Sequence, residues 1–271
     1  MLELFRSNEP DGGDMSFWEH LDQLRPRLMR SAVAFVLFML LAFLFGDELM
    51  ILITAPKAEW FPTNRLFAWL AEVSDKEFLR INTEPLTLVN TAMAGQFNLH
   101  IRLAFNSALI LTIPYALWEL WSFIRPALTK AEQRKSRFFV FEVSLCFFIG
   151  ALFGFFALAP LSVNFLGSYS MGDQLDNMID RSSYLSLVLN MVFASGVIFL
   201  LPILSRILAK MGILTSDFMR KYRRHAFVIL AILSAFITPP DVASMMLVLV
   251  PLYGLYELSI HIVSRVERKN Q

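Results

Sequence analysis

FFVFEVSLCFFIGALFGFFAL, residues 138–158, holds one charged side chain, Glu142, in 21 positions, and its apolar residues fall on every face of a helical wheel. A soluble helix would keep a polar stripe toward water. About 20 consecutive apolar residues, at roughly 1.5 Å each, cover the ~30 Å hydrocarbon core of a bilayer, so this stretch reads as a membrane span. A helix is the economical form. In hydrocarbon every backbone N–H and C=O must be satisfied within the segment, and the run is too long and too uniformly apolar for the alternating strands of a barrel. Five more runs repeat the pattern, at about 31–45, 103–124, 184–207, 226–238 and 242–262. The expected fold class is an all-α membrane protein with six transmembrane helices.

Composition agrees with this reading. Of 271 residues, 56% are hydrophobic and 17% charged, and the mean hydropathy is +0.55. These values exclude a cytosolic enzyme and a secreted domain. A net charge of +1 offers no overall basic field for nucleic acid. The single Cys146 excludes an internal disulfide and a Cys-based metal cluster. Residues 1–16 carry Glu3, Arg6, Glu9, Asp11 and Asp14, and no small-residue cleavage pattern follows the first run, which is therefore expected to be a mature span.

Orientation follows from Lys and Arg. The first segment holds Arg6, Arg25, Arg27 and Arg30; 125–137 holds five basic residues, the 206–225 connection six, and the C-terminal segment three. That is eighteen on one face against six on the other, five of the six in the long 46–102 loop and one, Arg181, in 159–183. The asymmetry places both termini of a multi-pass protein in the cytoplasm and gives six spans. In the 46–102 loop, Leu86, Val89, Met93, Phe97 and Ile101 recur at helical spacing, which predicts an interfacial or capping helix; a plain ordered loop packed on the bundle stays open. Both readings give a structured outer cap. The run 226–238 spans only about 20 Å, too short for an undistorted bilayer, and the turn Pro239-Pro240-Asp241 limits its extension, so local thinning is expected there.

No motif supports catalysis: Walker-type, G-x-S-x-G and H-E-x-x-H patterns are missing, and the four histidines lie on separate segments. No cofactor is implied. Gly150 and Gly154 form a small-xxx-small pair that reads as close helix packing. The ionisable and amide groups in or beside the runs, Glu119, Glu142, Asn190, Asp241 and Glu257, stand out because such groups are costly at membrane depth and face a partner or a wet cavity. For Glu119 a structural ion pair and a ligand role both stay open, and for Glu142 and Glu257 so does a plain interfacial role. By composition, Glu132 is one acid among five bases.

Five stretches together carry a resemblance: FWEHLDQLRPRL at 17–28, WELWSFIRPAL at 118–128 running on to Glu132, SYLS at 183–186, KMGI at 210–213 and TPPDV at 238–242. They resemble TatC, the multi-spanning core of the twin-arginine protein translocase, over nearly the whole chain. The resemblance implies a cupped, glove-shaped six-helix bundle with its last two helices short. It implies a receptor that binds twin-arginine signal peptides on its cytoplasmic face. With single-span partners of the TatA and TatB type, and as a homo-oligomer within the receptor complex, such a protein moves folded cargo using the protonmotive force.

Carried over residue by residue, the loop glutamate that receives signal-peptide arginines matches Glu132, and the glutamate of the N-terminal motif is replaced by Gln23, beside Asp22 and Arg25. Glutamine accepts a hydrogen bond but brings no charge, so Asp22 is the candidate to supply the carboxylate. Phe123 would line the apolar groove for the hydrophobic part of the peptide. Leu200 stands where many members carry a polar residue in the fourth span, with Asn190 a possible substitute. The last hairpin would be the partner edge: Ala235, Thr238, Ser244 and Met245 lie near its outer end, and the two hydroxyls could bond a polar residue of a short helix in lipid; for Thr238, capping its own helix end before the prolines stays equally open. The rival class is a proton-coupled carrier of a small solute with Glu119 and Glu257 as relay groups. Against it stand the lack of an internal repeat and of matching broken helices.

A topology prediction follows from the basic asymmetry. In a Cys146→Ala background, a cysteine placed at Thr129 is expected to stay unlabelled by an impermeant thiol reagent added outside intact cells. Labelling from outside would invert the assignment.

Overall fold

The computed structural model describes residues 17–83, 86–124, 138–169, 178–238 and 242–270. Among them four helical stretches are long and apolar enough to cross a membrane: Leu24–Leu44, Gly95–Phe123, Phe139–Ser168 and Arg181–Lys210. The first lies in α1 (Phe17–Leu44) and the second in α4 (Gly95–Ile124), which pair antiparallel. Arg27 meets Phe123, Phe35 meets Phe105, and Phe43 stacks on His100 as one chain ascends and the other descends. The expected first span started at residue 31; the helix starts at Phe17 because an apolar run ends at its first charges, whereas helical geometry continues through Arg30, Arg27 and Pro26.

The third stretch is α5 (Phe139–Phe153), a π-helical turn (Gly154–Leu158) and α6 (Ala159–Ser168). The turn has a local cause: Pro160 lacks an N–H, so the carbonyl of Phe156, four residues earlier, loses its α-helical donor. Ala159 N–H instead reaches back five residues to Gly154 O. The hydroxyl of Thr63 donates to the Phe156 carbonyl from outside the helix. The fourth stretch also breaks, into α7 (Arg181–Ile198) and α8 (Leu201–Lys210), with Pro202 in the first turn of the second piece. Asp180 caps α7, its carboxylate accepting from the N–H groups of Ser182 at 2.9 Å and Ser183 at 3.3 Å.

Helices α5 and α7 pack through glycine, as the small-residue pair suggests. A Cβ on Gly150 would lie 2.6 Å from Ser195 O, and one on Gly154 would lie 2.7 Å from Met191 O. Gly196 in turn gives up its side-chain volume to Phe147, which is fully buried. Between helices in lipid, apolar burial gains little because acyl chains are as apolar as leucine, so this close approach holds the pair. Helix α1 shows the converse, with Val33, Val36, Leu37, Leu40 and Leu44 exposed along its length.

The segment between α1 and α4 is where the periodicity misleads. Its helices are α2 (Gly46–Thr54) and α3 (Pro62–Ser74), and the stretch expected to be an interfacial helix splits in two. Leu88–Val89 form a strand, β1, paired in parallel with β2 (Ile179–Asp180), and Phe97 and Ile101 belong to the first turns of α4. Asn90 prevents continuity: its side-chain amide donates to Ala92 O at 3.1 Å, closing a local turn. The last elements are α9 (Ser216–Lys221), α10 (Arg223–Ile237) and α11 (Val242–Asn270). At 29 residues α11 is not the short helix expected; its charged end continues past the apolar run, and Glu267 accepts from Ser216 N–H of α9 at 2.9 Å.

Asn82 ties the 46–83 segment to the third stretch. It is 4% exposed with φ of 52°. Its amide donates to Pro160 O at 3.0 Å and to Asn64 Oδ1 at 3.1 Å, while its main-chain N–H donates to Asn164 Oδ1 at 2.7 Å. Asn82→Ala loses the side-chain bonds and places a Cβ residue without amide help at positive φ, for an expected loss of about 2–4 kcal/mol. Asn82→Gly keeps the backbone freedom and should lose less. Thermal unfolding in detergent checks this, and equal losses would mean the left-handed conformation contributes nothing.

Candidate functional site

The antiparallel pairing brings the start of α1 and the end of α4 to one end of the molecule. There the Arg27 guanidinium lies 5.7 Å from the centroid of the Phe123 ring, within cation–π range. One guanidinium nitrogen of Arg27, Nη1, is buried and has no hydrogen-bond partner among the described residues. One turn further in, Glu119 is 3% exposed, accepts from the Tyr115 hydroxyl at 2.9 Å and faces Arg30 at 3.9 Å. The structure thus gives Glu119 the structural ion pair; its carboxylate is enclosed between helices rather than open to a ligand.

The same arrangement recurs in the last hairpin. Glu257 accepts from Tyr253, one turn earlier on its own helix, at 3.1 Å, and from Arg223 of the neighbouring helix at 2.7 Å. Glu142 on α5 pairs with Arg206 on α8 at 2.8 Å. Each antiparallel pair is therefore joined at this end by an arginine from one helix and a glutamate from the other. Among the described residues, Glu119 and Glu257 thus belong to two separate helix contacts, each with its own arginine. The repeated Tyr-x-x-x-Glu spacing at 115/119 and 253/257 was visible in the sequence; the arginine partners, 64 and 34 residues away for Glu142 and Glu257, were not.

Of the remaining sequence candidates, Arg25 is an exposed residue of α1. Glu132, Pro239, Pro240 and Asp241 lie outside the described residues, as do the side chains of Asp22, Gln23 and Ser244, whose backbones are helical. On the last hairpin, Ala235 is exposed and Met245 half-buried. The Thr238 hydroxyl donates to Ser234 O at 2.9 Å and the residue is 5% exposed, so it closes its own helix end instead of presenting a free donor outward. The face of α10 that is open is apolar, formed by Val228, Ile229, Ile232 and Phe236.

Comparison with known proteins places this architecture. Residues 19–251 match the model of the family described as Sec-independent protein translocase protein (TatC). The chain is 34% identical over 261 residues to a TatC of Blattabacterium sp. subsp. Periplaneta americana, covering 94% of this chain and 97% of that one. It is 34% identical over 262 residues to a TatC of Deinococcus radiodurans, covering 96% and 89%. A crystal structure of the twin-arginine translocase receptor TatC superposes with a TM-score of 0.73 at 28% identity, covering 92% of this chain and all of that one. With apolar helices of spanning length and agreement along almost the full chain, the protein belongs to the TatC family, membrane components of the Tat protein-transport system.

Proposed function

We propose that this chain is the signal-peptide receptor of its Tat translocase, a binding protein without catalysis that lies in the bacterial inner membrane with both termini cytoplasmic. It takes the arginine pair of a signal peptide at the end of the molecule where α1 begins and α4 ends. The observation that supports this is the α1–α4 lock. Arg27 on Phe123 and Arg30 on Glu119 hold the N-terminal motif beside the point where the chain leaves α4 toward Glu132. A ligand with two guanidiniums calls for carboxylates as charge-assisted, bidentate acceptors, and Glu119 is already engaged. Glu132 and Asp22 then carry the ionic contact, Gln23 an uncharged one, and Phe123 the start of the apolar groove. Six spans in a cupped bundle, with homo-oligomers and TatA/TatB-type partners, complete the reading, and the protonmotive force drives transport.

The partner edge is the exposed apolar face of α10 and the adjoining start of α11. Since Thr238 is turned to its own helix, Ala235 and Phe236 are the contact positions, with Met245 and Ser244 at the margin. A short helix leaves the outer leaflet poorly matched, which favours a partner helix at that edge over bulk lipid.

Two measurements test these assignments. In export assays with a twin-arginine reporter, Glu132→Ala is expected to abolish transport, Asp22→Ala to reduce it and Gln23→Ala to do least. Normal transport with Glu132→Ala would remove the assigned site, while an unaffected Asp22→Ala would remove only the compensation. A photo-crosslinker at Ala235 or Met245 is expected to capture a small single-span protein in membranes, and one at Leu152 on α5 is not. Capture from Leu152 alone would move the partner to the other side of the bundle.

A further inference from the structure

At the opposite end of the molecule a cavity of about 460 Å³ opens between α2, the strand β1 and the start of α7. Its lining includes two cations, Lys57 and Arg181, together with Thr54 and the apolar Met50, Leu86 and Leu88. Lys57 donates one of its three protons to Leu86 O at 2.9 Å, leaving two. The Arg181 guanidinium makes no hydrogen bond among the described residues, and neither cation makes an ion pair with a described carboxylate. The nearest acid in sequence, Asp180, is engaged by Ser182, Ser183 and Thr91. Burial, and second the Arg181 charge, hold the Lys57 ammonium below the usual lysine range. Two like charges brought to one cavity disfavour each other unless an anion enters between them.

We propose that this cavity is a binding site for the phosphate of an anionic phospholipid headgroup. The shape of the chemistry favours a lipid over a free anion: the cationic donors sit among Met50, Leu86 and Leu88, and the same segment presents exposed Trp60 and Trp69, side chains that concentrate at the membrane–water interface. Ile51 and Leu52 of α2 are exposed next to the lining residues and give acyl chains an apolar surface. Arg181 supplies a planar fork for two phosphate oxygens and Lys57 a point charge for a third contact. The site lies at the end of the molecule opposite the Arg27–Phe123 contact.

Native mass spectrometry of the full-length protein in micelles doped with phosphatidylglycerol or phosphatidylcholine tests the site. A retained phosphatidylglycerol adduct is expected, weakened about fivefold by Lys57→Gln or Arg181→Gln and roughly twenty-five-fold by both, at about one unit charge contact each. The charge-conserving pair Lys57→Arg with Arg181→Lys should retain it, and phosphatidylcholine should show no dependence on either residue. Should the double variant fail to fold, the single variants carry the comparison. Undiminished phosphatidylglycerol binding in folded charge-loss variants would overturn the site. Cation-dependent binding of inorganic phosphate without any of the lipid would overturn the lipid source.

Discussion

The requirement that every backbone polar group in hydrocarbon find an internal partner governs this molecule, and its irregularities show how strictly. Pro160 takes one donor away from the third membrane stretch. The chain answers with a π-helical turn, and with Thr63 brought in from a distant helix to donate to the freed Phe156 carbonyl. Asn82, Asn64 and Asn164 do the same around Pro56 and Pro160, where side-chain amides replace ladder bonds that non-helical chain cannot make. The 46–83 segment is thereby fastened to the third stretch by hydrogen bonds as well as by apolar contact, with buried Phe61 packed on Phe155 and Phe156.

Charge is organised under the same constraint. An unpaired carboxylate between helices would be prohibitive, so Glu119, Glu142 and Glu257 each meet an arginine from the facing helix. These pairs clamp helix ends. At the other end the balance reverses: Lys57 and Arg181 converge without a described counter-charge, in a cavity lined also by Met50, Leu86, Leu88, Thr54 and Thr87. One end of the protein thus joins three described acids to arginines, and the other holds a cationic pocket at interfacial chemistry.

The candidate receptor site was legible only in part. The resemblance to TatC pointed to Glu132, Gln23, Asp22, Arg25 and Phe123 because the stretches that carry it are contiguous, and contiguity is what a sequence displays. Arg27 and Arg30 counted only as topogenic charge until the fold set them on Phe123 and Glu119. Thr238 shows a choice the sequence left open. A hydroxyl beside a proline turn can face outward or close its own helix end, and the helix geometry gives the i to i−4 bond to Ser234.

By itself the sequence determined the apolar stretches, their helical state and the bias of basic residues to one face. Each depends on local composition and on the length of chain needed to cross hydrocarbon. Tertiary structure decided how far helices run past the apolar stretches, because Arg27 and Arg30 of α1 and Glu267 of α11 meet neighbouring elements that hydropathy does not register. It also decided that Leu88 and Val89 form a strand, since their partners at 179–180 are some ninety residues away. The same holds for the pairing of Glu119, Glu142 and Glu257 with their arginines and for the meeting of Lys57 with Arg181: contacts across such separations depend on how helices pack, and no periodicity in the chain encodes them.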